Sequence, residues 1–151
     1  MSKTLFIPLF ATAAVLVGCQ PTETTQTADQ VMEQRVAQAL WVGEFEGTTP
    51  CLGCLSRCED CPGMKVSLRL NEDNSYVLHR ESLSEHNALE TLSGTYLLTE
   101  DDEVKIQLID IQQRNLMVFD PKKMLLEIRE DSTGKSYQMQ SDFILPKVTQ
   151  A

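Results

Sequence analysis

The sequence predicts an all-β domain, an antiparallel up-and-down meander of about eight strands that closes into a small β-barrel. Two observations lead to this prediction. From Trp41 onward, apolar and polar residues alternate in short runs, as they do in strands with one buried face. Turn-like segments separate the runs, and short connections favour antiparallel neighbours because parallel pairs need long crossovers. Closure into a barrel would remove the exposed edge strands.

The individual strands follow from this alternation. The clearest run is GMKVSLRL, residues 63–70, and it is followed by NEDNS, whose Asn and Asp side chains favour turns. The predicted strands are residues 41–47, 63–70, 76–82, 91–99, 104–110, 115–120, 124–130 and 136–145. The apolar members of these runs are expected to point inward: Val66, Leu68, Tyr76, Leu78, Tyr96, Ile106, Leu108, Leu126 and Ile128.

The start of the chain is typical of a secretory signal peptide, predicted over residues 1–18. Lys3 precedes an uncharged apolar run that is too short for the roughly 20 residues of a membrane-spanning helix. The run ends in LVGC, residues 16–19, which resembles the lipobox of bacterial lipoproteins. That resemblance implies cleavage before Cys19, a diacylglycerol on its sulfur and a further acyl chain such as palmitate on its amino group. Such a protein is anchored stably without spanning the membrane.

The rest of the chain divides into a tether and one domain. Residues 19–30 are polar and threonine-rich and are predicted to be a flexible tether, because they cannot bury enough apolar surface to fold. Residues 31–151 are predicted to form the barrel domain, which opens with a short helical segment at 31–41. The formal net charge of −9 disfavours nucleic acid as a partner.

The opening of this domain resembles a known family. WVGEFEG at 41–47, CEDCPGMKVSLRLNEDNSYVL at 58–78 and the later SGTYLL match, in order, the motifs of the N-terminal domain of NlpE-type lipoproteins. The resemblance covers roughly residues 41–145 together with the lipobox. It implies a barrel related to the lipocalins and an association with copper resistance and envelope-stress signalling. Gln20 after the anchor cysteine implies, by the sorting rule of such lipoproteins, the outer membrane.

Two departures from the family pattern affect what can be carried over. Cys51 and Cys54 form an additional C-x-x-C motif ahead of the family motif, Cys58 and Cys61. Some family members also continue into a second domain with a redox-sensitive disulfide, whereas this sequence stops at Ala151. Functions that depend on that second domain are therefore not carried over.

The four cysteines at 51, 54, 58 and 61 leave three interpretations open. In an oxidising compartment they could form disulfides, of which Cys51–Cys54 and Cys58–Cys61 are the most local. They could bind a soft metal, copper(I) in particular, because thiolates select such ions. Zinc is a poorer candidate, because only three residues separate the motifs whereas zinc ribbons separate theirs by about 15–20. They could also exchange electrons, although a reactive C-x-x-C usually begins a helix.

The histidines and methionines of the predicted domain are expected at the surface or in the core. His79 on a polar strand face and His86 in a polar loop are expected at the surface. Met64, Met124 and Met139 lie in predicted strands and are expected to fill the core. Residues typical of a catalytic triad, a phosphate loop or a carboxylate pair are not recognisable, so an enzyme is not predicted.

The sequence and the resemblance together predict an outer-membrane lipoprotein that faces the periplasm. It would act in copper homeostasis and envelope-stress sensing, with Cys51, Cys54, Cys58 and Cys61 as the sensitive loop and Cys19 as the lipid anchor. Expected partners are the membrane, copper(I) and an envelope signalling protein. Two alternatives remain open: a lipocalin-like carrier of a small apolar ligand, and a disulfide-stapled lipoprotein with a structural or interaction role.

Overall fold

A computed structural model describes residues 40–58, 60–84 and 89–149 of the chain. The predicted signal peptide, the tether and most of the predicted helical segment lie outside these residues, as do Cys19 and His86. The described part contains eight strands and one 3-10 turn. They are β1 (Gly43–Thr49), β2 (Met64–Leu70), β3 (Ser75–Ser82), β4 (Glu90–Glu100), β5 (Val104–Leu108), β6 (Leu116–Asp120), β7 (Leu125–Ile128), the turn Gln140–Phe143 and β8 (Ile144–Pro146).

The strands form one antiparallel meander that is nearly closed. Each strand pairs with the next in the chain, from β1 to β8. The last strand then returns to the first, since Phe45 bridges Lys147 and the Val148 N–H donates to the Glu44 carbonyl oxygen at 2.7 Å. The predicted all-β meander and its closure are therefore confirmed. Leu40 and Trp41, at the end of the predicted helical segment, have helical backbone.

The strand alternation places the apolar side chains as predicted. All nine residues expected to point inward are buried, with exposed fractions between 0% and 3%. They join one cluster with aromatic side chains such as Phe45, Trp41 and Phe143. Because the inward side chains of an eight-stranded barrel are long enough to meet across it, the described interior is occupied by packed side chains.

The predicted last strand, 136–145, is wrong over most of its length. Only Ile144–Pro146 pair as a strand, and Gln140–Phe143 form a 3-10 turn. The turn brings Phe143 into the core, where it is 0% exposed and stacks on Tyr137 with 3.8 Å between ring centroids. The same turn leaves Met139 49% exposed, so Met139 does not fill the core.

The other two methionines also differ from each other. Met64 is buried in β2, as predicted. Met124 lies in the turn between β6 and β7, with a positive φ of 52°, and packs partly buried against the core. Within the described residues, no helix is long and apolar enough to span a membrane.

The antiparallel order gathers four connections at one end of the barrel, which we call the cysteine end. These connections are β1–β2, which carries the four cysteines, β3–β4, β5–β6 and β7–β8. Consecutive antiparallel strands alternate in direction, so every second connection lies at the same end. The cysteines therefore meet residues that are far from them in sequence.

Candidate functional site

The candidate site is the connection between β1 and β2, residues 50–63, which we call the cysteine loop. Both C-x-x-C motifs form turns of the same kind: the Cys54 N–H donates to the Cys51 carbonyl oxygen at 3.0 Å, and the Cys61 N–H donates to that of Cys58 at 3.1 Å. Gly63 closes the loop with a φ of +86°, and a Cβ there would lie 2.6 Å from the Thr49 carbonyl oxygen. A glycine is therefore required where the loop rejoins β2.

The sulfur atoms meet across the two motifs. Cys51 Sγ and Cys61 Sγ lie 3.3 Å apart, although ten residues separate them. Cys58 is near enough to Cys61 to affect its pKa. All four cysteines are free thiols, with Cys58 exposed and the others partly buried. The sulfur contact therefore joins the two motifs and does not lie within either of them.

Arg114 is brought to the loop by an unusual turn between β5 and β6. Its backbone has a positive φ of 56°. The carboxylate of Asp131 holds that backbone, because its two oxygens accept from the Arg114 N–H at 2.7 Å and from the Asn115 N–H at 2.9 Å. Because its backbone is fixed in this left-handed conformation, the Arg114 side chain points toward the cysteine loop.

The guanidinium of Arg114 holds the first half of the cysteine loop. Nη1 donates to the Thr49 hydroxyl at 3.0 Å and to the Pro50 carbonyl oxygen at 2.6 Å. Nη2 donates to the carbonyl oxygens of Cys51 at 2.7 Å and Cys54 at 3.1 Å. The residue is only 4% exposed. Four oxygen partners for one buried cation fix the backbone on both sides of Cys51.

Aromatic and charged groups complete the surroundings of the loop. The Arg114 guanidinium lies 5.0 Å from the ring centroid of Phe143, within the range of a cation–π contact. On the other side of the loop, Arg57 contacts Asp142: its N–H donates to Oδ2 at 3.2 Å, and Nε lies 3.7 Å from Oδ1. The Arg57 guanidinium also donates to the Thr48 carbonyl oxygen. The loop is thus tied to the barrel from two directions.

Cys54 is not part of the sulfur contact between Cys51 and Cys61. It lines a cleft of about 150 Å³ beside Arg114, together with Gly53, Leu55, Gln113, Asp131 and Tyr137. Leu52 and Leu55, next to it in the loop, are exposed. The loop therefore presents thiols and apolar side chains together at the end of the barrel.

The contacts give the three neighbouring thiols different acidities. Hydrogen bonds from Cys51 and Cys58 and from the Gly63 N–H lower the pKa of Cys61, because they stabilise its thiolate. The same bonds, made as donors to Cys61, raise the pKa of Cys51 and of Cys58. Among these three thiols, the pKa of Cys61 is the one that is shifted downward.

This ordering predicts the pH dependence of thiol alkylation. In the reduced protein, the iodoacetamide reaction of Cys61 should reach its half-maximal rate at a lower pH than the reactions of Cys51 and Cys58. Mass spectrometry of the peptides measures this. Cys51→Ala should raise the apparent pKa of Cys61, whereas Cys51→Ser, which keeps a donor, should raise it less. One pH profile shared by all three thiols would contradict the ordering.

The structure places the other sequence candidates away from this site. His79 points outward from β3, and its Nδ1 lies 2.9 Å from the Thr91 hydroxyl oxygen. Among residues 40–58, 60–84 and 89–149, no group of three or more His, Cys, Asp or Glu is arranged to hold a metal ion. Among the described cysteines, Cys51 and Cys61 are the two whose sulfur atoms are in direct contact.

Sequence reasoning missed Arg114 and Arg57. Neither has a sequence signal, because Arg114 lies in a turn of ordinary composition and acts on residues at least 60 positions away. The contact between Cys51 and Cys61 did have a signal. The four cysteines are symmetric about Ser56, and a hairpin that turns there brings the first cysteine to the fourth.

A family model agrees with the motif resemblance. Residues 45–140 match the family model described as the NlpE N-terminal domain. A crystal structure from Shewanella oneidensis, described as that of a lipoprotein, matches with 22% identity and a TM-score of 0.48, over 76% of this chain and 96% of that one. No curated protein matches the chain. With nearly two thirds of its length matched by the family model, the chain belongs to the NlpE N-terminal domain family, a family of membrane-associated envelope lipoproteins.

Proposed function

We propose that this protein is an outer-membrane lipoprotein that binds copper(I) through its cysteine loop and reports on, or buffers, copper and envelope stress. It is anchored through Cys19 and acts without catalysis. The observation that supports the proposal most directly is the contact between the Cys51 and Cys61 sulfur atoms, at 3.3 Å. Membership of the NlpE family supports the same cellular role.

The donor chemistry fits a soft ion of low coordination number. Thiolates select copper(I) and zinc over harder cations. Two ligands sharing one tetrahedral ion at the roughly 2.3 Å of a zinc–thiolate bond lie about 3.8 Å apart, so a small opening of the Cys51–Cys61 contact would admit a metal. Zinc prefers four ligands, and the sulfur contact among the described cysteines involves two thiols, Cys51 and Cys61. Copper(I) accepts fewer ligands, so it fits this donor set better.

The chain's own residues would prepare this site. Arg114 holds the carbonyl oxygens on both sides of Cys51, which keeps that thiol at the neck of the loop. The hydrogen bonds that lower the pKa of Cys61 favour the thiolate, the form that binds metal. Bound copper would supply a soft cation that neutralises thiolate charge. The exposed Leu52 and Leu55 support a contact between the loop and an envelope protein that reads its state.

The carrier alternative needs a free lumen. The described interior side chains instead pack against one another, twelve of them with less than 2% of their surface exposed. The structural alternative, a loop stapled by disulfides, shares its cysteines with the copper proposal. The two differ in one measurable respect. Under the copper proposal the reduced loop binds metal, and under the structural alternative it does not.

A copper(I) titration tests the proposal. The reduced full-length protein should compete for copper(I) with a chelator of known affinity. A variant with Cys51, Cys54, Cys58 and Cys61 all changed to Ser should not, and both proteins keep Cys19. Cys51→Ser with Cys61→Ser should weaken binding more than Cys54→Ser with Cys58→Ser. Zinc should compete poorly. Indistinguishable copper binding by wild type and the fourfold variant would refute the proposal.

A further inference from the structure

We propose that oxidation of the cysteine loop joins Cys51 to Cys61, across the two C-x-x-C motifs, and does not join the two cysteines within either motif. The first support is the sulfur contact itself. At 3.3 Å, Cys51 Sγ and Cys61 Sγ are already at van der Waals contact or closer, so a bond between them requires little movement of the loop.

The strand register gives an independent reason for this pairing. β1 and β2 pair regularly from Gly43 opposite Leu70 to Thr49 opposite Met64. Continued by two residues, the same register places Cys51 opposite Pro62, next to Cys61. The hairpin thus brings the backbones of Cys51 and Cys61 close together, and the side-chain positions in the loop complete the sulfur contact. By the same symmetry, Cys54 and Cys58 fall nearer the tip of the loop.

Both partners of the proposed bond are held in place. Arg114 donates to the carbonyl oxygen of Cys51 at 2.7 Å. On the other side, Gly63 lies against Thr49, and its carbonyl oxygen accepts from the Leu83 N–H at 3.0 Å, which fixes the backbone two residues after Cys61. Two thiols held next to each other have a high effective concentration, and this favours their disulfide over pairs that must be brought together.

The competing pairs are placed less well. Cys54 lines the cleft beside Asp131 and Tyr137, whereas its motif partner Cys51 contacts Cys61. Cys58 is exposed, and its motif is a tight turn closed by a backbone hydrogen bond. A disulfide across such a short turn closes a small loop and gains little from chain entropy. Exchange should move a Cys58–Cys61 bond to Cys51.

The chemistry requires an external disulfide as oxidant, such as those of an oxidising compartment. The Cys61 thiolate attacks one of its sulfurs, and a mixed disulfide forms as the first external thiolate leaves. Cys51, deprotonated, then attacks the Cys61 sulfur, and the second external thiolate leaves. The protein gives up two electrons and the external disulfide accepts them. The two protons from the protein thiols end on the two external thiols.

This disulfide would regulate the proposed copper site, and only that consequence rests on the proposed function. Oxidation removes Cys51 and Cys61 from the donor set and leaves Cys54 and Cys58. The neck of the loop would then be closed covalently where Arg114 now holds it by hydrogen bonds.

The sequence offers a direct test, because Arg57 lies between the motifs. Trypsin should release residues 36–57, which carry Cys51 and Cys54, and residues 58–65, which carry Cys58 and Cys61. Cys19 lies on a different peptide. The full-length protein in detergent is reduced, equilibrated with oxidised glutathione, blocked with N-ethylmaleimide at acidic pH and digested without reductant. We expect the two peptides to be linked, with fragmentation that assigns the bond to Cys51 and Cys61.

Variants that keep one pair at a time sharpen the test. The protein with Cys54→Ser and Cys58→Ser should become half oxidised at a glutathione disulfide-to-thiol ratio at least about tenfold lower than the variants that keep only one motif. Two results would overturn the inference. The first is unlinked peptides, either alkylated at both cysteines or two hydrogens lighter because each motif has closed its own disulfide. The second is a link through Cys54 and Cys58 alone. No metal is present, so failure here is distinct from failure of the copper titration.

Discussion

Leu68→Asp should destabilise the barrel by about 4 kcal/mol or more. Leu68 is 0% exposed at the centre of β2, opposite Phe45 on one side and Leu78 on the other. A carboxylate there would be buried without a cation or a hydrogen-bond donor, which is among the most costly single changes. Domains of this size are stable by only about 5–15 kcal/mol, so the variant should unfold at a much lower urea concentration.

The matched control is Lys65→Asp in the same strand. Lys65 is exposed and alternates with the buried positions, so the change should cost less than about 1 kcal/mol. If Leu68→Asp fails to fold, Leu68→Ala provides a measurable loss of about 2–5 kcal/mol. Equal urea midpoints for the Leu68 and Lys65 variants would show that the facing of β2 has been assigned wrongly.

Arg114→Met should cost about 2–4 kcal/mol and loosen the cysteine loop. The change keeps an apolar stem of similar length but removes the donors to Thr49, Pro50, Cys51 and Cys54. Each buried oxygen left without a donor costs about 1–3 kcal/mol, and water entering the loosened loop should recover part of this. Urea unfolding measures the stability. The rate of tryptic cleavage after Arg57 measures the loop, and it should rise.

Arg69→Met is the control for this experiment. Arg69 is exposed, and it makes a surface ion pair with Glu44 at 3.3 Å, a kind of interaction that contributes about 0–1 kcal/mol. Its loss should leave both the urea midpoint and the cleavage after Arg57 close to those of the wild type. If Arg114→Met behaved like Arg69→Met in both measurements, Arg114 would not organise the loop.

These effects bear on how one loop could serve two states. In the reduced state, Arg114 keeps Cys51 beside Cys61 while the hydrogen bonds to Cys61 favour its thiolate. In the oxidised state, the bond we propose would hold the same two positions. The loop would then exchange copper ligation for a disulfide while its backbone kept the same fold. This combination suits a device that must respond to both copper and oxidation.

The sequence by itself determined the barrel. The alternation in residues such as Val66, Leu68, Tyr76 and Leu78 was sufficient to predict which side chains point inward, because the period of a strand is fixed by its backbone. Short turns then specified antiparallel neighbours and their order. The motifs around Cys58 and Cys61 also sufficed to indicate the family. Local patterns carry this information since each strand pairs with the next one along the chain.

Only the tertiary structure decided the details of the cysteine end. The last strand was predicted too long, because burying Phe143 beside Tyr137 requires a turn that local alternation does not show. Arg114 reaches the loop through a left-handed turn held by Asp131. Its hydrogen-bond partners in the loop are 60 or more residues away in the sequence. The meeting of Cys51 with Cys61 depends on the β1–β2 hairpin, which brings the two ends of the loop together, and on the side-chain positions within the folded loop. Spacing alone revealed four thiols, and the folded hairpin selected which two of them meet.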